Sequence, residues 1–179
     1  MSEPLHAHRP LNRSGCVAAG VWRGEAAVLK MLPALTPWTD PMSPFYGTVG
    51  LVPPFRPAIE HEAMAYRLLQ SEMLLETGFG PDGAWLLLRD IGPTVSHSAA
   101  PDLAVRLLER VARCRRVGIV HNDIRPANLL DSDAGCMLID FDISCIQGVG
   151  PLGRLGTRPY AAPELVAGSC SVRSDLFSL

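Results

Sequence analysis

Apolar residues along the chain come in short runs separated by turn residues, interrupted twice by stretches with helical spacing. Val17, Val21-Trp22 and Ala27-Val28-Leu29, with Arg23-Gly24-Glu25 between the last two groups, predict a β-hairpin whose second strand carries Lys30. From Ala58, apolar residues recur at helical intervals. Ala65, Tyr66 and Leu69 stand at i+3, i+4 and i+7 from Glu62, which places Glu62 on the inward face. Glu60 lies ~200° round the same helix, so only one of the two glutamates can face inward. Gly78 to Gly83 reads as a turn cluster before a buried strand, Ala84-Trp85-Leu86-Leu87-Leu88. A second helix, capped by Asp102, is expected to set Leu103, Leu107, Leu108 and Val111 on one face and to end before Gly118.

The densest pattern follows. Gly118-Ile119-Val120 predicts a short strand, and Asn128-Leu129-Leu130 and Cys136-Met137-Leu138-Ile139 flank Asp131 to Gly135 as a hairpin. His121, Asp123, Arg125 and Asn128 lie on the loop between, while Asp140 and Asp142 sit where the second hairpin strand ends. Closing the hairpin should bring Asp123, Asn128 and Asp140 towards one edge. Two segments promise no regular structure. Residues 1–13 read as a flexible lead-in. Residues 33–57 hold prolines 33, 37, 41, 44, 53, 54 and 57, whose fixed φ and missing N–H groups oppose any regular element. That stretch reads as a disordered insertion or as a partner-docking loop using Trp38, Phe45 and Tyr46.

Composition narrows the class. A chain of 179 residues suits one domain or two small lobes, and a hydrophobic fraction of 47% supports a packed core. The net charge of −2 gives no reason to expect nucleic acid or an anionic membrane as partner. Arg113, Arg115 and Arg116 already suit the dipole at a helix's end. No apolar run reaches the ~18 residues of a membrane span, and the N-terminus lacks a signal-peptide pattern. Cysteines 16, 114, 136, 145 and 170 form no C-x-x-C pair and suit isolated reduced thiols, so a soluble cytoplasmic location is expected.

At the loop, one carboxylate can orient a hydroxyl while an Asn and a second carboxylate offer hard oxygen ligands to Mg²⁺, the equipment of phosphoryl transfer. His121-Asn122-Asp123-Ile124-Arg125-Pro126-Ala127-Asn128 resembles the catalytic loop H-R-D-x-x-x-x-N of protein kinases, and Asp140-Phe141-Asp142 resembles their D-F-G. Ala27-Val28-Leu29-Lys30 is similar to the V-A-I-K strand, and Gly156-Thr157-Arg158-Pro159-Tyr160-Ala161-Ala162-Pro163-Glu164 to G-T-x-x-Y-x-A-P-E. Arg89 to Pro93 resembles the interlobe hinge, and Ser174 to Leu179 the start of the central helix of the second lobe.

The resemblance implies an α+β, bilobal kinase-like fold. Its sheet-rich first lobe and hinge would cover residues 14–92, with 33–57 inserted, and a second lobe, 93–179, would stop at the start of its central helix. It implies ATP and Mg²⁺ as cofactors and a protein as substrate. Lys30 would contact the nucleotide phosphates and pair with Glu62. Asp123 would orient the acceptor hydroxyl, with Thr157 supporting it, and Arg125 would offset charge on the transferred group. Asn128 and Asp140 would bind the metal, and Glu164 would anchor its segment.

Six positions depart from the pattern. The glycines of the phosphate-covering loop fall on Ser14, Cys16 and Ala19, leaving Gly15 and Gly20 one residue away to approach the nucleotide. Asn122 replaces the arginine that meets a phosphorylated loop, which removes the usual electrostatic basis of that activation. Arg125 replaces a lysine, with different reach. Asp142 replaces the glycine of D-F-G and would weaken metal binding by repulsion or tighten it as an added ligand. Phosphoryl transfer to protein Ser/Thr hydroxyls is the leading expectation. A non-catalytic pseudokinase or truncated binding module is the alternative. A small-molecule kinase is the third, disfavoured by Gly156–Glu164.

Overall fold

The structure is a computed structural model that describes residues 6–11, 16–33, 55–80, 83–94, 103–132, 135–150, 156–157, 159–166 and 171–178. Gly15, Asp102, Trp38, Phe45, Tyr46 and residues 34–54 of the proline-rich stretch lie outside them. The chain forms two units, Met1–Asp90 and Ile91–Leu179.

The first unit is built on a hairpin. Arg23 and Gly24 take φ of 50° and 82°, and two positive φ values in a two-residue turn match the twist of the flanking strands. They join β2 (Val17–Trp22) to β3 (Glu25–Pro33) in a register that sets Val17 opposite Lys30 and Ala19 opposite Val28. The Arg23 guanidinium covers the Trp22 ring at 4.3 Å. The antiparallel sheet runs β1-β2-β3-β5-β4, with β1 at His6–Pro10, β4 at Leu74–Gly80 and β5 at Gly83–Arg89. Helix α1 (Phe55–Leu68) packs on β3, β4 and β5 through Ile59, Glu62, Ala63 and Tyr66.

Three expectations change here. The lead-in carries β1, an edge strand on which Pro10 is tolerated because an edge has one row of unpaired N–H groups. Prolines also fall inside regular elements at two places. Pro33 closes β3 and Pro57 lies in the first turn of α1, where the backbone N–H has no helical partner in any case. Finally, β4 occupies residues read partly as a turn. Gly78 belongs to the strand because the Trp85 ring lies across it: a Cβ there would sit 2.3 Å from the indole.

The second unit opens on α2 (Leu103–Arg116), which buries Leu103, Leu107, Val111 and Cys114. Leu108, expected on that face, is instead exposed, since the buried stripe follows i, i+4, i+8 and i+11. The helix packs on β6 (Ile119–Val120) and β8 (Gly135–Leu138), and Arg110 Nε donates to the Cys136 carbonyl at 2.6 Å. A 3₁₀ turn, Pro126–Asn128, leads into β7 (Leu129–Ser132), which pairs with β8 as the sequence predicts. The predicted strand β6 finds its partner in β9 (Cys145–Ile146). Helices α3 (Pro163–Val166) and α4 (Val172–Phe177) follow, the latter capped by Ser171 in a reciprocal pair of bonds with Ser174. No described helix is long and apolar enough to cross a membrane.

Candidate functional site

Two groups of candidate residues form, one in each unit. In the first, strand register delivers Lys30 opposite Leu86 on β5. Helical periodicity turns Glu62 inward while Glu60 stays exposed. Lys30 Nζ and Glu62 Oε2 meet at 2.7 Å, with the lysine side chain 16% exposed and the glutamate 1%. A carboxylate so buried needs a cation to remain ionised, and the pairing in turn fixes where the ammonium can reach.

The glycines divide. Gly20 lies mid-strand on β2, laddered with Ala27, and so is not part of the β1–β2 connection. Leu11 N–H donates to the Val17 carbonyl at 2.8 Å, and Met31 N–H to that of Cys16 at 2.7 Å. The β1–β2 ladder is therefore already paired at Val17, ahead of Gly20. Small residues at 18–20 belong to a ladder and not to a loop.

In the second unit, two antiparallel ladders are nested. The inner one is the β7–β8 hairpin, extended by the Ile139 N–H bond to the Asn128 carbonyl at 3.1 Å. The outer one pairs β6 with β9 and is extended at one end by Gln147 N–H donating to the Gly118 carbonyl at 2.8 Å. Residues 123–127 and 140–142 connect the two ladders at one end. This is how Asp123, Asn128 and Asp140 come to a common edge.

Asp123 is held on one side only. Its Oδ2 accepts from Asn128 Nδ2 at 2.8 Å and from Arg125 Nε at 3.0 Å. Asn128 Nδ2 also donates to the Asp123 carbonyl at 2.9 Å. Oδ1 is buried without a hydrogen-bond partner. The expected support from Thr157 is not made. Its carbonyl instead accepts from Tyr160 and Ala161 N–H at 2.8 and 3.0 Å, closing a turn. Gly156 precedes it at φ 76°, and a Cβ there would lie 2.6 Å from that of Ala161.

His121 is fully buried against Phe141, ring centroids 4.7 Å apart. Asp123 N–H donates to its Nδ1 at 3.3 Å, so Nε2 must carry the proton that meets the Ile139 carbonyl at 3.0 Å. The ring is therefore a neutral spacer between the loop and the residue before Asp140. Asp140 takes φ 68°, and Asp142 sits half-buried in the turn beyond. Glu164 accepts from Ser174 Oγ at 3.0 Å.

One organising residue carried no expected role. Asp175 on α4 is buried, and its two oxygens accept the N–H groups of His121 at 2.8 Å and Asn122 at 2.9 Å. Burial pushes its carboxyl above the usual range, against the opposing pull of the two N–H bonds. Burial, with Asp175 nearby, also pushes the Cys114 thiol up to about 12, so that cysteine is an inert core residue.

Chemically, a carboxylate with one oxygen oriented and the other unpartnered can accept a proton or align a hydroxyl. Because Asn128 commits its NH₂ to Asp123, its side-chain carbonyl is left as a hard oxygen donor of the kind Mg²⁺ takes, with Asp140 supplying a carboxylate. No cluster of three or more His, Cys, Asp or Glu suited to a metal occurs among the described residues. A site here would rest on those two side chains plus ligands from a nucleotide.

Comparison with known proteins agrees with this chemistry. A protein kinase domain model matches residues 68–179. Calcium-dependent protein kinase 27 of Arabidopsis thaliana is 29% identical over 99 residues, 52% of this chain and 20% of that protein. Mitogen-activated protein kinase kinase 10 of the same plant is 36% identical over 92 residues, covering 47% and 30%. The serine/threonine-protein kinase PknL of Mycobacterium tuberculosis is 36% identical over 101 residues, covering 52% and 25%. The matches thus span under a third of each of these relatives.

Proposed function

The chain belongs to the protein kinase family, with that family's α+β fold, and from this premise we propose that it transfers phosphate from ATP to Ser/Thr hydroxyls of a protein. The observation that carries the reading is the Asp123 carboxylate, fixed through Oδ2 by Arg125 and Asn128 while Oδ1 stays buried and unpartnered. Oδ1 is the atom that orients the acceptor hydroxyl and takes up its proton. Arg125, one-third exposed and bonded to the same carboxylate, offsets the negative charge that the transferred group carries on its oxygens. Lys30, positioned by Glu62, binds the nucleotide phosphates. Asn128 and Asp140 hold Mg²⁺, which when bound neutralises phosphate charge. The Ser/Thr preference rests on the similarity to the serine/threonine-protein kinase PknL and on the look of the loop.

The test is incorporation of phosphate from Mg·ATP into a generic protein substrate by the wild-type chain and by Asp123→Ala. The variant should fall by at least ~100-fold, the lower range for a positioned acid–base group. Turnover that survives the substitution would overturn the assignment.

A second reading, a nucleotide- or partner-binding module without turnover, is favoured by Gly20 lying in a strand and by Asp142 in place of glycine. A thermal-shift titration separates the two: stabilisation by Mg·ATP without phosphate transfer selects the module.

A further inference from the structure

Asn122 is almost fully buried, 1% exposed, and takes φ 68°. It stands opposite Ile143 in the register that pairs Ile119 with Ile146 and Val120 with Cys145. Its own backbone cannot continue that ladder. The positive φ turns the chain aside, and its N–H is spent on Asp175 at 2.9 Å. The side chain supplies the missing rung instead, Nδ2 donating to the Ile143 carbonyl at 3.1 Å. A carbonyl acceptor fixes which end of the amide faces it, so Oδ1 is left buried with no hydrogen-bond partner. Asn also suits the backbone, being among the few residues that tolerate a left-handed conformation.

We infer that Asn122 is a positioning residue: its amide is a neutral clamp that ties the segment after Asp140 to the Asp123 loop. The clamp contains no ion pair, so it assembles this half of the site without a phosphorylated residue and without sensitivity to salt. This deepens the proposed function, since it assigns that site a constitutive rather than a phosphate-switched geometry. The two adjoining fixed points are also neutral: His121 Nε2 meets the Ile139 carbonyl, and Ser144 Oγ meets that of Phe141 at 2.7 Å. Between Ile139 and Ser144 the chain carries Asp140 and Asp142, so these two uncharged bonds and the Asn122 clamp bracket the two carboxylates.

The experiment is hydrogen exchange on the full chain, read at residues 143–147, for wild type, Asn122→Gly and Asn122→Asp. Glycine keeps the positive φ and removes the amide, whereas aspartate keeps the shape and removes the donor. Both should exchange about fivefold faster there, the worth of one net hydrogen bond, with β2–β3 unchanged. Phosphatase treatment or raised salt should leave wild-type exchange as it is. The inference is overturned if the variants exchange like wild type, if phosphatase or salt accelerates wild type, or if both variants loosen the whole second unit uniformly. Phosphate transfer from Mg·ATP, measured on the same samples, tests the function separately. Asn122→Gly should lower kcat with KM for ATP held, and a raised KM at unchanged kcat counts against the clamp. Wild type without turnover would remove the kinase reading and leave the exchange result to decide the clamp.

Discussion

In the first unit, Lys30 and Glu62 meet because a regular strand of a five-stranded ladder and a regular helix each present one side chain inward. In the second unit the candidate residues lie on short irregular segments. These are held by side-chain bonds to distant backbone, from Asp175 to His121 and Asn122, and from Asn122 to Ile143. One unit is a scaffold that carries a site; in the other, the bonds that hold the loops are themselves the site's framework. The family model begins at residue 68, so it covers the second arrangement and leaves out both Lys30 and Glu62. Recognition therefore came through the loops, while the first unit declares itself through topology and one ion pair.

The contrast can be tested unit by unit, because Trp22, Trp38 and Trp85 all lie in the first and none in the second. The largest effect is expected from Asp175→Ala, which strips two buried N–H groups of their acceptor at a cost of about 4 kcal/mol. Protection from hydrogen exchange across residues 119–146 should collapse while the tryptophan unfolding midpoint in urea stays put. A matching shift of both probes would erase the distinction between the units. The same carboxylate sets a pH trend. Burial raises its folded pKa, so the folded unit holds a proton that the unfolded chain releases. This group's contribution is full below the ordinary carboxylate range and is lost as pH rises through the raised value. Asp175→Asn should flatten that slope.

Glu62→Ala comes next, removing the buried carboxylate that pairs with Lys30 at a cost of about 3 kcal/mol, read by tryptophan fluorescence in urea. The apolar double variant Lys30→Met, Glu62→Leu should return to within about 1 kcal/mol of wild type, since a scaffold needs packing there and not charge. It should at the same time lose stabilisation by Mg·ATP. A double variant as unstable as the single would mean that the pair holds the first unit together. The smallest effect belongs to Leu108→Gln on α2, under about 0.5 kcal/mol, because that leucine is already exposed. A larger loss would give α2 a second buried face.

What the sequence made legible follows the same division. Periodicity is a local signal, so the hairpin carrying Lys30, the inward turn of Glu62 and the β7–β8 pair could be read directly. Strand β4 was obscured because Gly78, normally a turn residue, makes room for an indole from the next strand. Strand β9 was obscured because two residues in Ile143-Ser144-Cys145-Ile146 carry no alternation. The roles of Asp175 and Asn122 left no local trace. One depends on a contact across 54 residues of chain and the other on the sign of a single φ angle. That Gly20 pairs with Ala27 was not visible either, because spacing cannot show which small residues join a ladder.

The nesting of the two ladders also bears on how the second unit folds. Closing the Asn122–Ile143 rung from an open chain means ordering a loop of about twenty residues, whereas with β7–β8 already zipped to Asn128–Ile139 only about eight remain free. The logarithmic dependence makes the second route cheaper by about 0.8 kcal/mol in closure entropy, roughly a fourfold gain in the closing equilibrium. Assembly is therefore expected from the inside outward. The tight hairpin forms first on the microsecond scale of such turns, and Asp123 and Asp140 are drawn together only when the outer ladder shuts.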